Sequence, residues 1–325
     1  MSNDEYITMP NDLHAVVISG GGAFGAWGVG VAQGLSKGDK PRNYSLGVGT
    51  STGSLMGPLV LLQDFDTLID AYTSVTQSDI FNVNPFKKNG KLKAFNFIKR
   101  IIQGKPTVGE TANLRKTIER FFPEDDFKKL KAQQMEFAAA TVSMVDGQTH
   151  YKSTNDNQYQ DMVDWMWCSA NQPVFMSLVK KDNNYWADGG LKQLLPVKYA
   201  LQKRAKIIDI IIHNTKDFGS NRPWEPKGIL ESLEQTIAIF TKGVGFTNVI
   251  EAELSVDADP ELKDTVLNFY YMADGLREML PNDLVFDAAI MKKLYKIGLD
   301  SVQQNTIVKQ SYKFNEMGKL TIQKE

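Results

Sequence analysis

Near its start the chain twice runs through an apolar β-branched stretch, a glycine turn and a helix-like segment. No other feature constrains the fold as much. Residues 14–19 read as a strand buried on both faces, a short apolar run closed by Gly20-Gly21-Gly22. Residues 23–36 read as a helix, with small side chains and Trp27 on its packing face. Residues 44–48 form a second strand, which enters Gly49-Thr50-Ser51-Thr52-Gly53, and residues 54–63 a second apolar helix. Strand, turn and helix repeated in this order imply a parallel sheet with crossover helices.

The rest of the chain extends this α/β pattern. Residues 137–145 and 149–153 flank Asp146-Gly147, a strong hairpin signal. Residues 162–170 read as a helix stopped by Pro173. A short strand at 185–187 leads into Asp188-Gly189-Gly190, and 207–213 is a continuous apolar strand. Residues 217–227 look like a polar connector with two prolines. A helix at 228–242, a strand at 266–271 and a helix at 286–297 follow. The expected division is a flexible N-terminus (1–12), a catalytic core (13–215) and a C-terminal extension (216–325). The extension should complete the same domain, because its isolated strands cannot form a sheet of their own.

Composition narrows the partners. A net charge of −1 gives no global field that would draw nucleic acid, so none is expected as a partner. Cys168 is the one cysteine, so neither an intramolecular disulfide nor a Cys/His zinc spacing is available. That suits a reducing cytoplasm. No stretch approaches the roughly 18 apolar residues of a membrane-spanning helix, so membrane contact is expected to be peripheral. One stretch invites it: residues 86–105 hold seven Lys or Arg together with Phe86, Phe95 and Phe97. It reads equally as an interfacial flap on anionic lipid or as a solvated surface helix. Nothing in the sequence sets the oligomeric state.

Three glycine motifs carry chemistry. The first, Gly49-Thr50-Ser51-Thr52-Gly53, is a G-x-S-x-G sequence between a strand and a helix, the setting a nucleophile elbow requires. Gly49, Thr50, Thr52 and Gly53 permit the sharp turn, and Ser51 projects at a helix N-terminus that favours developing negative charge. The second, Gly20-Gly21-Gly22-Ala23-Phe24-Gly25, matches a dinucleotide fingerprint and equally an oxyanion hole built from the amides of Gly20, Gly21, Gly22, Ala23 and Gly25. A dinucleotide site wants an acidic residue at the end of the second strand. Here Gly49-Thr50-Ser51 stands there, which favours the oxyanion hole. The third, Asp188-Gly189-Gly190, is usually a plain turn, but an activated serine needs a base. Of the three histidines, His14 and His150 read as structural. His213 ends a strand after Asp188, so a Ser51–Asp188–His213 triad has the right chain order. Only one strand precedes the elbow, however, unlike hydrolases that use such a triad.

Taken together, these motifs resemble the patatin-like phospholipase family in order and spacing. Trp167-Cys168-Ser169-Ala170-Asn171-Gln172-Pro173-Val174-Phe175 resembles the family's helix before its Asp motif. Leu284-Val285-Phe286-Asp287 with Gly298 resembles its C-terminal signature. The resemblance implies a modified α/β-hydrolase sheet, mostly parallel and flanked by helices. It also implies lipid acyl hydrolysis by a Ser51–Asp188 dyad, without cofactor or metal, with oxyanion donors from the Gly21–Ala23 backbone. Two positions depart from the family: Phe24 stands where a basic residue is frequent, and Leu194 where Asn is frequent.

The expected activity is therefore hydrolysis of lipid or fatty-acyl esters through an acyl-enzyme. The ordinary Asp pKa of about 3.9 is low for a base, and desolvation near Trp186 and Phe175 is expected to raise it. The competing readings are a non-catalytic lipid-binding module, a Ser–His–Asp esterase using His213, and a nucleotide-dependent oxidoreductase.

Overall fold

A computed structural model describes residues 13–219, 225 and 228–314. The expected flexible N-terminus and part of the 217–227 connector lie outside the described residues. The described residues form a mixed, mostly parallel sheet of nine strands flanked by helices. The strands are β1 (His14–Ile18), β2 (Leu46–Thr50), β3 (Glu136–Ser143), β4 (Thr149–Ser153), β5 (Val179–Lys181), β6 (Asn184–Asp188), β7 (Ile207–Ile212), β8 (Val266–Tyr271) and β9 (Val308–Lys313).

The parallel centre is β3-β2-β1-β7-β8, and antiparallel strands finish both sides. The central strands are apolar on both faces because helices cover both. One cluster gathers Val16, Ile18, Trp27, Met56 and Phe137, and the other Val17, Val48, Ile210 and Phe269. The tail adds β8 and β9 to this sheet, and the helix Ala288–Gln303 lies along the helix Gly25–Lys37. Their axes approach closely: a Cβ on Gly298 would stand 2.2 Å from the Trp27 carbonyl oxygen.

One detail of register positions the site. Throughout its length β4 runs antiparallel along one edge of β3, from Ala138↔Ser153 to Val142↔Thr149. The other edge is shared. β2 takes it as far as Thr50↔Ala140, and β6 takes the next position, Asp188↔Thr141. The ends of β2 and β6 therefore meet head-on beside two consecutive residues of β3.

Candidate active site

The β2 strand runs two residues further than its apolar pattern suggested, through Thr50, so Ser51 follows the last paired residue. Ser51 has φ +55° and ψ −126°, a left-handed backbone that a side chain rarely adopts. Such a conformation costs about 1–3 kcal/mol and persists only where its surroundings impose it. Here they do. The Ser51 amide donates to Ser169 Oγ at 3.1 Å, and Ser169 Oγ donates to the Ala140 carbonyl at 2.6 Å. Ser54 Oγ donates to the Ser51 carbonyl at 2.6 Å. Neither flanking glycine has room for a side chain: a Cβ on Gly49 would lie 2.2 Å from the Gly53 carbonyl oxygen, and one on Gly53 2.1 Å from that of Ile18.

Asp188, at the end of β6, is buried and lies across this junction from Ser51. Its amide donates to the Asn171 carbonyl at 2.9 Å, and its Oδ1 accepts from the Gly190 amide at 2.7 Å. Burial pushes the Asp188 pKa up to about 6, against hydrogen bonding from the Ser51 side chain and the Gly190 amide, which favours the carboxylate. Of the two side chains expected to dry this carboxyl, Phe175 lines the cavity with it. Trp186 does not, because it packs into a separate cluster with Trp165, Cys168 and Val179.

The loop after β1 stands beside both. A Cβ on Gly20 would lie 3.3 Å from Ser51 Cβ and 2.7 Å from Leu194 Cδ1. Leu194, in the position where the family frequently has Asn, thus wedges between the loop and Gly190. The proposed oxyanion donors divide. The Gly20 amide is taken by the Leu194 carbonyl (3.2 Å) and the Ala23 amide by the Asp283 carbonyl (2.8 Å). The Gly25 amide closes a tight turn onto Gly22 and Ala23. These three amides, expected at the sequence level as donors, are therefore occupied. Gly21 and Gly22 make no amide hydrogen bond to any described residue, and both line the cavity. Gly22 has φ +53°, and a Cβ there would strike the Asp283 carbonyl.

His213 is also close, but it faces elsewhere. Its Nδ1 lies 3.1 Å from Ser19 Oγ and 3.0 Å from the Ser19 carbonyl. Its ring packs edge-on to Trp27, and Nε2 lies where a Cβ on Gly28 would fall. Burial lowers its pKa to about 4, so it is neutral at physiological pH.

Two cavities open at Ser51. One, about 380 Å³, is lined by Gly21, Gly22, Asp188 and Phe175, and also by Lys242 and Arg277. The other is almost wholly apolar and runs inward past Leu55, Leu59, Leu114, Ile118, Met166 and Phe286. Ser51, Gly22 and Leu284 border both.

The model of the family described as patatin-like phospholipase matches residues 16–201, more than half of the chain. The chain belongs to the patatin-like phospholipase family. Among solved structures, the crystal structure of VipD from Legionella pneumophila is similar, with 11% identity and a TM-score of 0.46 over 94% of this chain and 68% of that chain. No curated protein sequence matches.

The other segments that carried the resemblance have visible structural roles. Asp287 caps the helix Ala288–Gln303 through the Ala289 and Ile290 amides. Leu284 and Phe286 line the apolar cavity. Sequence reasoning assigned no role to Ser169 or Asn171. The first anchors the Ser51 backbone and the second the Asp188 backbone. Their only signal was the polar pair interrupting an apolar helix end before Pro173.

Proposed function

We propose that the protein is a lipid acyl hydrolase in which Ser51 is the nucleophile and Asp188 its only side-chain base. Family membership supports lipid ester hydrolysis in general. The single observation that carries the finer reading is the junction of β2 and β6, which sets a strained serine against a buried carboxyl whose pKa is about 6.

In the reaction, the Ser51 hydroxyl attacks the ester carbonyl and its proton passes to Asp188. The oxyanion accepts from the Gly21 and Gly22 amides. Asp188 returns the proton to the departing alcohol, leaving an acyl-serine. Water then attacks the acyl group, with Asp188 again taking and returning the proton. A base needs a pKa near the working pH, and burial moves Asp188 in that direction. The apolar cavity offers the acyl chain a dry path away from the reacting carbon. His213 fits this chemistry poorly, because its Nδ1 is held by Ser19 and its burial opposes the imidazolium a triad must form. A fluorophosphonate probe should label wild type and not Ser51→Ala; equal labelling of both sinks the serine reading, and no labelling of wild type favours a binding module.

The protein works on lipid from the side, through residues 86–105. Among the described residues no helix is long and apolar enough to cross a membrane. The helix Ala94–Ile102 instead exposes Phe95, Ile98, Ile101 and Ile102, with Lys99 beside them and Lys87 and Lys88 on the preceding turn. An exposed apolar face rimmed by cations favours an anionic lipid surface over a merely solvated helix. Each surface Lys is worth about 1 kcal/mol at such a membrane. Lys87→Glu with Lys88→Glu should therefore weaken binding to anionic vesicles at least about tenfold. Cosedimentation unaffected by that pair or by lipid charge removes this part of the reading.

A further inference from the structure

Gly21 and Gly22, whose amides make no hydrogen bond to a described residue, belong to a turn held by segments far along the chain. Gly21 is pressed on His213: a Cβ on it would stand 2.3 Å from His213 Cβ. Gly22 is pressed on Asp283: a Cβ there would stand 2.0 Å from the Asp283 carbonyl oxygen, which also accepts the Ala23 amide at 2.8 Å. The two glycines thus rest on different walls. One follows β7, and the other belongs to the loop before the helix Ala288–Gln303.

Arg277 joins these walls. Its Nη1 donates to the His213 carbonyl at 3.2 Å and its Nη2 to Asp283 Oδ1 at 2.6 Å. Its guanidinium also lies 4.2 Å from the centre of the buried Phe24 ring, and the Phe24 amide closes the turn on the Gly21 carbonyl at 3.1 Å. A planar fork of fixed donors suits such a bridge; a lysine ammonium is a point charge on a flexible stem. The Arg277–Asp283 pair is neutral as a whole, so its effect on the site is geometric, not that of a free cation. Both residues lie outside residues 16–201, which the family model matches.

The 282–284 segment has other anchors. Asn282 Nδ2 donates to the Gly90 carbonyl and Gln77 Nε2 to the Leu284 carbonyl, each at 2.8 Å. What Arg277 adds is a fixed separation between the Asp283 wall and the His213 wall. That separation matters because an oxyanion hole works through donors already aimed before the charge forms. A misplacement of about 1 Å can cost about 10²-fold in rate.

We propose that Arg277 is a positioning residue of the Ser51 site, a staple between His213 and Asp283 that fixes the Gly21 and Gly22 amides where the oxyanion forms. This deepens the ester-hydrolase reading of the same cavity and rests on it.

The test uses the full chain and p-nitrophenyl butyrate, a soluble ester, so that no lipid surface contributes. Arg277→Gln should lower kcat and kcat/KM alike by about 10²-fold, the pattern of an interaction made only in the transition state. Arg277→Lys keeps the charge and loses the double reach, so its kcat should stay below about a tenth of wild type. Asp283→Asn weakens the same bridge, so the double variant with Arg277→Gln should lose no more than Arg277→Gln alone. Wild-type kcat in Arg277→Lys, a loss carried by KM, or additive losses in the double variant overturns the staple.

Hydrogen exchange separates this inference from the hydrolase reading. In a Ser51→Ala background, Arg277→Gln should speed exchange of the hydrogen-bonded Ala23 and Phe24 amides at least about tenfold, while exchange in β1 stays as it was. Unchanged exchange at these two amides, or an equal rise in β1, overturns the staple whether or not esters are cleaved. If the two amides loosen as expected but wild type cleaves no ester, the hydrolase reading falls and the staple stands as what fixes this turn.

Discussion

Asp188 ends β6 and His213 follows β7; both are buried and both border the same cavity, yet their surroundings drive them to opposite ends of usefulness. Burial favours the neutral form of each, and the carboxyl ends up raised to about 6 and the imidazole lowered to about 4. What separates them is the partner. The carboxyl has the Ser51 hydroxyl on one side and a glycine amide on the other, so it can take a proton that chemistry supplies. The imidazole is committed to Ser19 through Nδ1, and its Nε2 is sealed in without a partner among the described residues. Location in a cavity does not make a base; a reachable proton and a tuned affinity for it do.

The sharpest way to break this contrast is to remove each group. Asp188→Asn should lower kcat by about 10³-fold or more, while His213→Asn should leave kcat per probe-labelled serine within about tenfold. The reverse ranking would make the imidazole the base. Stability against pH sharpens it further. Asp188, raised when folded, contributes stability below about pH 4 that is lost as pH rises through 6. His213, lowered when folded, contributes stability above about pH 6.5 that is lost as pH falls through 4. Across roughly pH 4–6 the two slopes oppose each other, each near 1.4 kcal/mol per pH unit. Denaturant titrations should therefore show Asp188→Asn gaining up to about 3 kcal/mol at pH 8, with that gain vanishing by about pH 4. A gain independent of pH would mean that the carboxyl is not protonated on folding.

Two smaller effects complete the series. The wild-type kcat/KM should rise with pH through about 6 and then level, as a base of that pKa is freed. His213→Asn should leave that midpoint in place. Ser169→Ala should cost about 1 kcal/mol of stability or a few-fold in kcat, because it releases the Ser51 amide without touching the reacting groups. A loss as large as that of Asp188→Asn would place Ser169 in the proton path.

Much of this was legible in the sequence because glycine is costly to keep where nothing requires it. Within the three motifs, Gly22, Gly49, Gly53 and Gly189 marked places where backbone meets backbone, and the apolar runs at 14–19 and 207–213 marked the buried centre of the sheet. The misses have physical causes. β9 reads Val-Lys-Gln-Ser-Tyr-Lys, an edge strand too polar to stand out, and β5 has only three residues. The helix expected at 228–242 continues to Ala258, because Ile239, Phe246, Ile250 and Leu254 face outward and blur the amphipathic signal that sets a boundary. Which loop amides stay unoccupied was not legible either, since Ala23 is claimed by Asp283 from far along the chain. Arg277 and Lys242 lie in no motif; only the folded cavity gathers them.

The head-on meeting of β2 and β6 has a consequence during synthesis. A ribosome releases the serine long before it releases the aspartate, and under the proposed dyad the hydroxyl has no proton acceptor until β6 docks on β3. A nascent or truncated chain should thus be harmless to nearby lipids, and hydrolytic competence should appear abruptly, as the last partner zips into place.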